Sequence, residues 1–118
     1  MRNQSTFPKF AEVEKWAIIH SMYIIEFTPE ALDDLQALRK FEQKEVLDGV
    51  ESQLRHVPTI ETRNQKKLRP NEVAAWELRI VRFRVLYNVK LDVRGVSIEA
   101  IGFKVGNQLF IHGKKTEL

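Results

Sequence analysis

Residues 74–91 read AAWELRIVRFRVLYNVKL, with no glycine or proline. Trp76, Leu78, Ile80, Phe83, Val85 and Tyr87 are strand formers that alternate with, or sit beside, charged residues, the pattern of strands with one apolar face. One unbroken strand over this run would exceed the usual length of roughly 3–10 residues. The chain must therefore turn back on itself, and a tight hairpin or bulged bend is expected near Val81-Arg82, although neither residue readily takes a positive φ. The same part of the chain is basic. Residues 65–87 carry Lys66, Lys67, Arg69, Arg79, Arg82 and Arg84 against only Glu72 and Glu77. Guanidinium groups displayed on a sheet suit a polyanion, because they are planar, bidentate and permanently charged.

The elements around this run predict a fold class. Tyr23-Ile24-Ile25-Glu26-Phe27 is a strand candidate with Tyr23, Ile25 and Phe27 on one face. Thr28, Pro29 and Glu30 then suit the N-cap, first turn and positive dipole end of a helix. Leu32, Leu35 and Leu38 make its expected apolar stripe. A second helix is expected over 42–55, with Val46, Leu47, Val50 and Leu54 inward and Pro58 after its end. Residues 59–73 read as a polar, basic loop. Strands are expected over about 74–81, 82–91, 96–103 and 109–112, with turn chemistry in Asp92-Val93-Arg94-Gly95 and Val105-Gly106-Asn107. The order β-α-α-β-β-β implies an α+β fold: a small twisted, mostly antiparallel sheet with an N-terminal helical hairpin packed on one face.

Residues 22–118 are expected to form a single domain, and residues 1–21 an extension outside it. That extension is either a short helix opening at Pro8, with Phe10, Val13, Trp16, Ala17 and His20 at helical spacing, or an artefact of a start upstream of Met22.

Charge is unevenly spread. Over 30–51 the acids Glu30, Asp33, Asp34, Glu42, Glu45, Asp48 and Glu51 outnumber Arg39, Lys40 and Lys44, and over 63–94 the balance reverses. A helical side near neutral or acidic and a basic sheet side are expected. The whole chain of 118 residues has a net charge of only +3, so the local clustering carries the argument for an anionic partner. There is no cysteine, which excludes disulfide scaffolds, zinc ribbons and thiol nucleophiles. The three histidines, His20, His56 and His112, are too scattered to suggest a metal site. No apolar run is long enough to span a bilayer, and the N-terminus lacks a signal core, so a cytoplasmic chain without a membrane partner is the expectation.

Five segments in this order resemble the RelE/ParE superfamily of toxins from type II toxin–antitoxin pairs: YIIEFTPEALDDL from Tyr23, KLR from Lys67, WELR from Trp76, FRVLY from Phe83 and AIGFK from Ala100. The resemblance covers about 22–112. It implies a twisted antiparallel sheet with two N-terminal helices, and an antitoxin that wraps the toxin. It further implies one of two activities. RelE-like members cut mRNA on the ribosome without metal or other cofactor, the 2′-hydroxyl attacking the adjacent phosphate. ParE-like members poison DNA gyrase and are not enzymes. A degenerate member that binds only its antitoxin is the third reading.

Under the RelE-like reading, Arg84 matches the sheet arginine that meets the scissile phosphate, Arg79 matches a strand lysine, and Lys104 lies near the arginine after the family's glycine. Lys66, Lys67, Arg69 and Arg82 would then contact RNA phosphates. Two positions depart from the pattern: Glu77 stands where a second strand lysine is usual, and Phe110 where a tyrosine is usual. Candidates for proton transfer are therefore Glu77, a lysine with shifted pKa at Lys66 or Lys67, and His112, because arginine is a poor base at neutral pH. Each site residue has a plainer alternative. Glu77 and Arg79 pair with each other, Arg82 and Arg84 protect an edge, His112 is solvated, and Trp76 and Tyr87 are core residues. Arg84 stands apart, since an arginine inside a central strand is costly without a partner.

Overall fold

The computed structural model describes residues 22–118, so the expected extension over 1–21 lies outside the described residues. Its elements are β1 (Ile24–Phe27), α1 (Pro29–Gln36), α2 (Lys40–Leu54), β2 (Gln65–Lys67), β3 (Trp76–Ile80), β4 (Phe83–Lys90), a 3-10 turn at Leu91–Val93, β5 (Gly95–Val105), β6 (Gln108–Ile111) and β7 (Lys114–Thr116). Strands β2 to β7 lie side by side in chain order, each antiparallel to the next. β1 adds in parallel to the first half of β5, opposite residues 95–98. The described chain thus has the expected α+β architecture. Two short strands were not expected: β2, inside the stretch read as a loop, and β7 near the C-terminal end. Among the described residues no helix is long and apolar enough to cross a membrane.

The turn at Val81-Arg82 forms as a two-residue hairpin closed by the Ile80–Phe83 pair. Its length decides which side chains meet the core. Apolar residues fall on even positions in β3 (Trp76, Leu78) and on odd positions in β4 (Phe83, Val85, Tyr87). A two-residue loop puts both sets on the same face, where all five are buried. Burying each large side chain contributes about 1.5–3 kcal/mol.

That face meets Ala31, Leu35 and Leu38 of the α1 region and Val46, Val50 and Leu54 of α2. Thr28 caps α1 as expected, its hydroxyl accepting from the Ala31 N–H at 3.1 Å. Two expected core residues are not buried: Leu32 is 43% exposed and Leu47 40%, since Ala31 and Val46 take the inward positions one residue earlier. Tyr87 is core, as its plainer reading had it. Its ring stacks on Trp76, its registered partner, with centroids 6.2 Å apart, and its hydroxyl donates to the Pro58 carbonyl at 2.7 Å.

β5 is the longest strand, and β1 and β6 share one of its edges, β6 pairing with residues 103–105. The Ile101 N–H falls in the gap between them and donates to Asp34 Oδ2 of α1 at 3.0 Å. Glu99 is an extra residue in the ladder: Leu86 pairs with Ala100 but Tyr87 with Ile98. This bulge returns Ala100 to the face opposite the helices, where it joins Leu86, Leu109, Ile111 and Ala74 in a second, smaller apolar cluster. Gly102 allows β6 to coil over that second face. A Cβ there would stand 2.5 Å from the Phe110 carbonyl oxygen.

Val81 sits at φ 55°, a left-handed conformation unfavourable to a β-branched residue, while its side chain is 75% exposed. Left-handed backbone costs about 1–2 kcal/mol here, and glycine's unfolded-state entropy gives back about half of the relief. Val81→Gly should raise Tm by a few degrees in calorimetry; an unchanged or lower Tm would show that the turn is unstrained. Burial pushes the Tyr87 hydroxyl well above its ordinary pKa of 10.0. The unfolded chain therefore loses that proton first, and the stability it represents is complete below pH 10 and declines above it. Tyr87→Phe should be less stable at neutral pH yet lose less between pH 9 and 11 in urea titrations. Parallel pH curves for both proteins would contradict this.

Candidate anion-binding face

Turning the apolar parity of β3 and β4 toward the helices turns the other parity away from them. Arg79 of β3 is paired in register with Arg84 of β4, Arg84 with Gly102 of β5, and Glu77 with Lys66 of β2. Lys104, two residues beyond Gly102, lies on the same face. The structure thus brings Arg79, Arg84, Lys66, Lys104 and Glu77 together on the helix-free side of the sheet. A groove of about 540 Å³ runs over it, lined by Lys66, Arg69, Glu77, Arg79 and Lys104 and closed on one side by residues 115–118.

Arg84 flanks that groove. Its Nη1 donates to the Val81 and Phe83 carbonyls, both at 3.0 Å, so the side chain is tied to the hairpin turn beside it. Its Nε is buried and meets no acceptor. Burial lowers the proton affinity of this guanidinium; the Glu77 carboxylate opposes that pull and the Arg79 charge adds to it. Arg79 is about half exposed, and its Nε lies 3.0 Å from Glu77 Oε2. Glu77 itself is buried, so one largely desolvated carboxylate stands among several cations. Two guanidinium groups directly across a strand pair repel each other, and Glu77 engages only one of them by hydrogen bond. The arrangement has more positive than negative charge, and the half-exposed Arg79 offers it to the groove, as an oxyanion site requires.

The remaining expected site residues stand apart from this cluster. Arg82 is at the hairpin tip on the helix side. Its Nη2 is 3.0 Å from Glu42 Oε2 of α2, and its guanidinium lies 4.8 Å from the Phe83 ring centre and 5.3 Å from that of Phe103. That hydrogen bond, with one from the Arg39 N–H, holds the Glu42 carboxyl below the usual carboxylate range. Lys67 is registered with Trp76, on the opposite parity from Lys66, and borders a second hollow of about 380 Å³ formed with residues 68–75. Arg69 reaches the groove but spends Nε and Nη2 on the main-chain oxygen of Leu118, at 3.2 and 2.9 Å. His112 Nδ1 lies 2.8 Å from Asp34 Oδ1, which ties it to α1. Phe110 stacks on Phe103 at 5.5 Å, on the helix side, and so faces away from the cations. Leu109, its neighbour, holds the place in the groove.

Asp34 was not anticipated as a linking residue. Its partners Ile101 and His112 are 67 and 78 residues away, and no local pattern announces such contacts.

No protein-family model and no curated protein matches the chain. Among solved structures it is similar to a chain of the toxin–antitoxin complex RelBE2 from Mycobacterium tuberculosis. The identity is 24% and the TM-score 0.61, and the match spans 70% of this chain and 99% of that one. The fold is therefore the RelE-type toxin fold that the sequence resemblance implied.

The cation cluster makes Glu77 its counterweight. Glu77→Gln should lower stability at low ionic strength by about 1–3 kcal/mol, since it leaves Arg79 and Arg84 opposed without a carboxylate. Added sulfate should restore more of that loss than an equal ionic strength of chloride. Equal recovery in both salts, followed by thermal melts, would show that no anion is held there.

Proposed function

We propose that this chain is the toxin of a type II toxin–antitoxin pair, held by a cognate antitoxin, and that it acts as a ribosome-dependent, metal-independent mRNA endonuclease. The observation that carries this reading is the Arg79–Arg84 pair on the helix-free face, beside a groove lined by Lys66, Arg69, Arg79 and Lys104. The RelE-type fold supports it.

In this mechanism the RNA backbone lies along the groove, with Lys66 and Lys104 on phosphates flanking the scissile one. The 2′-oxygen attacks the adjacent phosphorus while its proton passes to the Glu77 carboxylate. Arg79 and Arg84 take up the charge that grows on the non-bridging oxygens. The bond to the 5′-oxygen breaks, and that oxygen takes a proton from an ammonium at Lys66 or Lys104. The products are a 2′,3′-cyclic phosphate and a 5′-hydroxyl.

A second reading has an observation in its favour. Phe110 points away from the groove and His112 is engaged by Asp34, so neither supplies proton transfer there. This favours a ParE-like chain that binds DNA gyrase, or one that binds its antitoxin alone.

Primer extension on translated mRNA after induction separates these readings. Discrete stops within codons are expected, and Arg84→Ala or Arg79→Ala should each reduce cutting about 100-fold or more, the usual loss on removing one transition-state donor. Circular dichroism should show both variants folded. Intact mRNA with stalled gyrase–DNA complexes would transfer the assignment to the second reading. Intact mRNA without them would leave antitoxin binding alone.

A further inference from the structure

The groove is partly covered by the chain itself. β7 is only three residues long, pairs with β6 alone and forms one end of the described sheet. Beyond it the chain crosses the helix-free face, and Lys115, Thr116, Glu117 and Leu118 make one wall of the groove. Two contacts hold the far end. The Leu118 side chain packs on the small apolar cluster of Ala74, Leu86, Ala100, Leu109 and Ile111. Its main-chain oxygen takes both hydrogen bonds from Arg69.

We infer that residues 114–118 are a strap over the cationic groove, latched by Leu118 and Arg69, and that a single-stranded polyanion gains full access only when the strap lifts. The inference rests on the reading of this groove as an RNA site. Its physical basis is competition for the same groups. Arg69 donates to the strap the N–H groups that a phosphate would otherwise take. Leu118 lies over an apolar floor directly beside Lys104 and Arg79, where a base would be seated with its phosphate on the cations. The strap has little to hold it elsewhere, since Lys114 and Lys115 are exposed and β7 contributes one short ladder. Short edge elements with few buried contacts are the parts of a fold that open most readily.

The test uses the full chain and a fluorescein-labelled single-stranded RNA of about ten nucleotides, followed by anisotropy at one fixed salt concentration. Leu118→Ser removes the apolar latch and leaves every cation in place. It should bind several-fold more tightly than the wild-type chain, with faster amide exchange over 114–116. Thr116→Pro, which disturbs the ladder to Leu109 at the other end, should act in the same direction. Adding Arg69→Ala to Leu118→Ser should cancel the gain. RNA binding by both single variants that is no tighter than that of the wild-type chain would overturn the strap while leaving the RNA site standing. No binding by any of the proteins would remove the strap and the RNA site together.

Discussion

The two-residue turn at Val81-Arg82 fixes the relation between the two faces of the sheet. One residue more or fewer would invert β4 relative to β3. Phe83, Val85 and Tyr87 would then point into solvent, and Arg84 would be driven against α2. Both the core and the cation cluster therefore depend on a loop that lacks the glycine or asparagine usual in such turns. Val81 accepts a left-handed backbone because the pairing on either side over-determines it. Arg84 adds to that constraint, since its Nη1 bridges the Val81 and Phe83 carbonyls. The residue that benefits from the turn thus also helps to fasten it.

The electrostatics of the second face follow from the same geometry. Pairing Arg79 with Arg84 across adjacent strands is unfavourable in isolation, and a sheet selected for stability alone would place an acid at one of the two positions. The acid is instead Glu77, two residues along β3, where it bonds Arg79 and raises the proton affinity of Arg84 from a distance. The result is a cluster in which positive charge is in excess over the single carboxylate. Arg82 illustrates the opposite outcome on the same hairpin. It has a carboxylate in Glu42 and two aromatic rings, which makes it part of the packing between α2 and the sheet.

Much of this was legible in the sequence, for physical reasons that can be stated residue by residue. Thr28-Pro29 marked the start of α1, and the apolar alternation in β3 and β4 required a turn where one is found. Arg84 stood out because charge inside a central strand needs a reason. What escaped notice was either short or long-range. β2 and β7 have the sequences QKK and KKT, whose strand character comes from the neighbours they pair with. Leu32 looked inward by composition, but helical phase gave that position to Ala31, and Val46, itself expected inward, left neighbouring Leu47 outside. Arg82 and Arg84 are alike as letters, and only the hairpin separates them to opposite faces. Asp34 could not be singled out because each of its partners lies in β5 or beyond.

The difference between binding and cleavage comes down to proton transfer. Charge stabilisation needs only fixed cations, and Arg79, Arg84, Lys66 and Lys104 are held by register on neighbouring strands. Moving a proton needs a group whose affinity lies between those of its partners, and positioned within hydrogen-bond reach. Arginine fails the first requirement. Phe110 has no proton to give and His112 is fastened to α1, which leaves Glu77 as the one side chain in the cluster suited to accept a proton from a hydroxyl. Glu77 is buried beside Arg79, and the two already form an ion pair. An incoming phosphate would meet that ion pair. By drawing Arg79 toward itself it would compete with Glu77 for the same guanidinium. The strand position at which this chain departs from the RelE-like pattern is thus the one that competes with an anion for Arg79.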